Sequence, residues 1–224
     1  MKTVLVCCEE SQRVCSAFRE RGFLAFSCDL QPCSGLHPEW HILGDCLKLL
    51  SSHVSFTTCD NRLHFVDYWN LIIAHPPCTY LSNAGHCRLV SGGKLNIDRY
   101  SSGLAARDFF MAFYNFSDCD SMAIENPIPI KLFRLPEYDQ IIQPFYFGDP
   151  FYKTTCLWLR NLPHLVPTCI SSNPVPTSRA EWFNSCSRFV RQKNRSKTFP
   201  GIASAMACQW GDYVNLGYKQ LELI

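Results

Sequence analysis

Thr3-Val4-Leu5-Val6-Cys7-Cys8, then Ser11-Gln12-Arg13-Val14-Cys15-Ser16-Ala17-Phe18-Arg19-Glu20-Arg21-Gly22, then Phe23-Leu24-Ala25-Phe26-Ser27-Cys28-Asp29, follow one another with only Glu9 and Glu10 between the first two runs. The first run is short and apolar, as a parallel strand buried on both faces requires. In the second, Val14, Ala17, Phe18 and Arg21 fall at helical spacing; Ser11 is placed to cap its start and Gly22 to end it. The third reads as another strand, finishing at Asp29. A strand–helix–strand unit of this length predicts a parallel pair joined by a right-handed crossover.

The pattern repeats further along. Residues 31–44 are rich in Pro, Gly and His and read as a loop. Asn70-Leu71-Ile72-Ile73-Ala74 is a buried strand stopped by Pro76-Pro77. Residues 83–103, with several Gly, Ser and Asn, read as a loop, and 104–116 as a helix. Ser121-Met122-Ala123-Ile124-Glu125 is a fourth strand and 154–159 a later one. Residues 161–200, broken by five prolines, read as irregular, and 201–210 as a last helix. Alternating strands and helices imply one α/β domain over 1–224, a Rossmann-like, doubly wound, mostly parallel sheet.

Composition limits the function classes. Of 224 residues 47% are hydrophobic and 18% charged, which fits a packed core and argues against disorder. The net charge of +2 makes any nucleic-acid footprint local. No apolar run approaches the ~18 residues of a membrane span, and the N-terminus does not read as a signal peptide. A cytoplasmic protein is expected. The fourteen cysteines contain no C-x-x-C pair, and Pro38 argues against a zinc helix carrying His37 and His41. No metal is expected; most cysteines read as small core residues.

Polar residues gather where ligands of such sheets bind, past the carboxyl ends of the strands. Glu9 and Glu10 follow the first, Asp29 the second, His75 to Cys78 the third, and Glu125 and Asn126 the fourth. Pro76-Pro77 form a stiff turn that presents Cys78 as a candidate nucleophile. Glu125, desolvated at a buried strand end, is expected to have a raised pKa suited to a general acid.

In this order, Ile73-Ala74-His75-Pro76-Pro77-Cys78 and Ala123-Ile124-Glu125-Asn126-Pro127 resemble the DNA cytosine-C5 methyltransferase family. Ala74–Asn83, Tyr146-Phe147-Gly148-Asp149-Pro150 and Lys153–Leu159 extend the likeness to short phage-encoded methyltransferase-like proteins, over most of the chain. The resemblance implies the class I methyltransferase type of fold. It implies Cys78 as nucleophile toward cytosine C6, with Glu125, Pro77, Asn126 and Lys153 beside it. It also implies S-adenosylmethionine held by Glu9, Glu10, Ser11, Asp29, Leu30, Asp45, His75 and Pro76. The turn at 8–12 departs from the family in having no glycine. DNA is the implied partner, with a nucleotide as the alternative. The basic run Ser187–Lys197 supplies Arg188, Arg191, Lys193, Arg195 and Lys197 to follow a phosphate backbone. Two other readings remain open: an exocyclic-amino DNA methyltransferase, and a methyltransferase-like nucleotide- or nucleic-acid-binding protein that is not an enzyme.

Overall fold

Val4 and Val6 bury on one side of the first strand, and Leu5 and Cys7 on the other; all four are inaccessible to solvent. A strand apolar on both faces belongs at the centre of a covered sheet. The computed structural model describes residues 1–83, 88–91, 93–180 and 188–217. In it β1 (Thr3–Cys7) pairs in parallel with β2 (Leu24–Asp29), which pairs in parallel with β3 (His41–Leu43). On its other side β1 pairs with β4 (Leu71–Ala74), and β4 with β5 (Ser121–Asn126), again in parallel. The sheet closes with β6 (Gln140–Ile142) and β7 (Thr155–Arg160); β7 runs antiparallel to both β5 and β6. The order is β3-β2-β1-β4-β5-β7-β6.

The chain therefore runs outward from β1 to β3, then returns to place β4 on β1's free side. This reversal between β1 and β4 is the switch point at which open α/β sheets bind ligands. Helix α1 (Arg13–Glu20) crosses from β1 to β2 on one face, and α2 (Ile97–Asn115) from β4 to β5. The core has two halves. Val14, Phe18, Ile202, Met206 and Trp210 cover one face of the sheet; Phe110, Phe113, Phe56, Trp69 and Trp158 cover the other. Each such side chain contributes roughly 1.5–3 kcal/mol of burial.

Several boundaries differ from the sequence reading. The expected loop 31–44 contains edge strand β3. A hairpin, Val54–Thr57 with Leu63–Val66, lies between β3 and β4. Helix α2 begins at Ile97, because the Asn96 side chain accepts the Arg99 N–H at 3.0 Å and caps it. Gly103, read as loop, sits inside α2: a Cβ there would lie 2.0 Å from Phe133 Cζ. Within 161–200, Arg188–Ser196 form helix α3. The last helix is longer than expected: α4 (Pro200–Ala205), a π turn (Met206–Trp210) and α5 (Gly211–Leu216) follow one another. No helix among the described residues is long and apolar enough to cross a membrane.

Gly103→Ala tests this packing. In an open helix the change adds about 1 kcal/mol of stability. Here the methyl meets the Phe133 ring, so stability should fall by about 1–2 kcal/mol, read from urea unfolding. A raised midpoint would show that the ring yields without cost.

Candidate active site

The parallel register of β4 and β5 ends with Ala74 opposite Ile124. The next positions are His75 and Glu125, then Pro76 and Asn126. His75 Nδ1 lies 3.0 Å from Glu125 Oε2, with side chains only 7% and 16% exposed. Asn126 Nδ2 donates to the Pro76 carbonyl at 2.7 Å. Pro76 and Pro77 have no N–H for the ladder, so the chain leaves the sheet there. It turns at Cys78, whose carbonyl accepts from Leu81 N at 3.1 Å and Ser82 N at 3.0 Å. The loops after β4 and β5 are joined again where Ile130 N donates to Leu81 O at 2.7 Å.

Cys78 is half-buried. Burial and then the charge of Glu125 push its thiol pKa up, and Lys153 opposes them. Glu125 departs from expectation. Burial alone raises its pKa, but the hydrogen bond and charge of His75, with Lys153 and Thr155, outweigh it, and the net shift is downward. The raised pKa expected from sequence is thus corrected: Glu125 favours the ionised form. Lys153 is positioned by its backbone N–H on Gln143 Oε1 at 2.9 Å, and its Nζ donates to the Arg195 carbonyl at 3.0 Å.

The turn after β1 carries the other half of the cluster. Cys8 and Gln12 adopt left-handed backbone conformations, with φ of 59° and 58°. The turn thus takes, without glycine, a backbone region that usually calls for glycine. Ser11 does not cap α1. Glu9 does so from inside, accepting from Val14 N at 2.6 Å and Cys15 N at 3.1 Å. Burial pushes its pKa up to about 7. Glu10 is buried, and its Oε2 lies 3.2 Å from Lys193 Nζ. The Gln12 side chain clasps the 31–37 loop, donating to His37 O at 2.8 Å and accepting from His37 N at 3.2 Å. Gly35 packs so tightly on this turn that a Cβ would lie 2.5 Å from Gln12 Cβ.

The remaining candidates are more dispersed. Asp29 accepts from Gln31 N at 2.8 Å, and burial raises its pKa. Asp45 accepts from Leu47 N at 3.0 Å and caps a short turn. Leu30 is 74% exposed. His37 and His41 have separate partners, Glu39 for the one, and Ser27 and Gln31 for the other. Among the described residues no three His, Cys, Asp or Glu side chains are grouped to hold a metal.

The basic run is not the loop expected from its sequence. Lys193 Nζ lies 3.2 Å from Glu10 Oε2, with its side chain 33% exposed. The Arg195 carbonyl is tied to Lys153, and Lys197 borders a pocket of about 260 Å³ with Arg13 and Asp149. Arg188 and Arg191 lie in α3, and their side chains fall outside the described set. A groove of about 560 Å³ between α1 and α4 is lined by Ser16, Ala17, Ala203 and Ala207, away from Cys78 and Glu125.

Sequence reasoning missed two contacts: Lys193 on Glu10, and His75 as the partner of Glu125. The second has a sequence signal, since His75-Pro76 and Glu125-Asn126 each follow a buried strand directly. Four buried side-chain atoms accept or donate no hydrogen bond among the described residues: both Glu10 oxygens, His75 Nε2 and Asn126 Oδ1. All belong to residues at the carboxyl ends of β1, β4 and β5. Glu10 Oε2 has the Lys193 charge 3.2 Å away; a buried atom with no such partner costs about 1–3 kcal/mol, and the gathering of these atoms at one place suits a polar ligand. No protein-family model matches the chain, and no curated protein matches it either.

Glu9 yields a pH test. Its folded-state pKa lies above the ordinary 4.5, so its contribution to stability is full below about pH 4.5 and is lost as pH rises through about 7. The stability of the wild type relative to Glu9→Gln should fall by on the order of 3 kcal/mol across that interval. Urea unfolding at a series of pH values reads the difference; a flat or rising one refutes the assignment.

Proposed function

We propose that the chain is an S-adenosylmethionine-dependent DNA cytosine-C5 methyltransferase with Cys78 as its nucleophile. The observation that carries this reading is the β4–β5 register. It sets the Cys78 turn, His75, Glu125 and Asn126 beside one another, with unpartnered buried polar atoms. The sheet's 3-2-1-4-5 order and its switch point at β1/β4 suit the class I methyltransferase type.

The β1 end fits the cofactor in kind. The left-handed turn at Cys8–Gln12 leads into buried Glu10, and Asp29 ends β2 where ribose hydroxyls are held in such sheets. Glu10 would hold the amino-acid end and Asp29 the ribose. The cofactor when bound supplies a methyl group on an electrophilic sulfonium.

The chain's own residues do the rest. A target base in duplex DNA is first flipped out. Cys78 Sγ releases its proton to solvent and bonds to cytosine C6, which makes C5 nucleophilic. Ionised Glu125 accepts from the cytosine N4 amino group, and the proton that N3 takes up as the Sγ–C6 bond forms comes from solvent by way of the Glu125 carboxylate. After C5 is methylated it loses its proton to water, the Sγ–C6 bond breaks to restore the thiolate, and N3 gives back the proton it took up. Lys153 offsets the negative charge near Cys78 throughout.

Mass spectrometry of nucleosides from DNA of cells expressing the chain tests this. 5-Methylcytosine should accumulate with the wild type and be absent with Cys78→Ala; its presence with both or with neither refutes the reading. Glu125→Gln should retain on the order of 1% of the activity or less, the scale of a lost acid–base group.

A further inference from the structure

The basic helix α3 turns one of its cations inward. Lys193 Nζ lies 3.2 Å from Glu10 Oε2, and the Glu10 side chain is only 10% exposed. A carboxylate this deep needs both a counter-charge and hydrogen bonds. Lys193 supplies the charge alone: neither Glu10 oxygen accepts a hydrogen bond from any described residue. Neighbouring Glu9 contrasts with it, since both its oxygens are taken by α1 N–H groups. The segment around Lys193 is held at two more points: Lys153 Nζ on Arg195 O at 3.0 Å, and Arg13 Nη1 on Thr198 O at 2.7 Å.

We propose that Glu10 receives the primary ammonium of an amino-acid-bearing ligand, and that Lys193 holds that place until the ligand arrives. The inference rests on the proposed cofactor site and adds its regulation. A lysine ammonium and an α-ammonium are the same chemical group, with one positive charge and three N–H donors. Lys193, tethered to α3, meets the charge but not the hydrogen-bond geometry. An untethered ammonium meets both. The exchange is cation for cation, so the buried carboxylate is never left unpaired. Lys193 has somewhere to go: its side chain is already 33% exposed, on a flexible four-carbon stem. Because Lys193 competes for Glu10, the apparent affinity falls by the fraction of molecules in which the place is open. A ligand without an ammonium does not enter this competition.

Calorimetry on the full chain with three probes tests the exchange. S-adenosylmethionine and S-adenosylhomocysteine carry the α-ammonium; 5′-methylthioadenosine shares their nucleoside and lacks it. Lys193→Gln should tighten the first two by about fivefold, the scale of a part-exposed ion pair, and leave the third unchanged. Lys193→Arg, which keeps a cation, should behave as the wild type. Glu10→Gln should weaken the first two by about tenfold, the lower end for a hydrogen bond to a charged group, and spare the third. A second variant, Lys193→Met, keeps the stem and reads the same difference, with thermal unfolding as the check on folding. Equal tightening of all three probes, or of none, overturns the exchange while leaving the donor reading in place. Absence of binding by all three to every variant overturns the donor reading and the exchange with it.

Discussion

The contact on which the site depends is the pairing of β4 with β5. It is a plain parallel ladder of apolar residues, Leu71 to Ala74 against Ser121 to Ile124. Its consequence is polar. Because the register is fixed by side chains buried on both faces, the residue after each strand end is fixed too. His75 meets Glu125, and Pro76 meets Asn126. A slip of one residue would turn every side chain of β5 to the opposite face and part both contacts. The large hydrophobic term thus pins a small polar arrangement that could not hold itself against solvent.

The β1 end shows how one turn treats two adjacent carboxylates differently. Glu9 points back under α1, where two N–H groups of its first turn satisfy it. Glu10 points away and relies on α3. The division needs the chain to reverse sharply, and the left-handed residues Cys8 and Gln12 do this. Each costs roughly 1–2 kcal/mol relative to glycine. Gln12 recovers part of that cost with its side chain, which bonds His37 on both sides and is wholly buried. A glycine would relax the turn but lose the clasp on the 31–37 loop.

The fold was legible where burial is two-sided. Thr3–Cys7, Leu71–Ala74 and Ser121–Asn126 are continuous apolar runs closed by polar residues, and each is a central strand within a residue or two of its expected limits. Legibility failed where tertiary contacts override local signals. Gly103 lies inside a helix because Phe133 fills the space a side chain would take. His41–Leu43 is a strand because β2 offers it an edge, although Pro, Gly and His surround it. The positions of Cys78, Glu125 and Asn126 followed from strand ends alone. The ionisation of Glu125 did not, because its direction is set by His75, and no local pattern announces that contact. Likewise the basic run looked solvent-facing, since charge counts do not say which lysine turns inward.

The electrostatics of Cys78 and Glu125 also bear on when the nucleophile is active under the proposed chemistry. At rest the Glu125 charge and burial both hold the thiol protonated. That state is unreactive, which protects a half-buried cysteine from adventitious chemistry. Lys153 alone opposes it from the charged residues beside Cys78. A cytosine entering the site places its amino N–H on Glu125 and spreads that charge into a hydrogen bond, weakening the field at Sγ. It also excludes water, which strengthens the attraction of Lys153 for a thiolate but adds to the burial penalty as the local dielectric falls. The first effect favours the thiolate only when a base is present. On this argument the downward shift of Glu125 does not oppose catalysis: it couples ionisation of the nucleophile to occupancy of the site, a coupling that a protonated Glu125 could not provide.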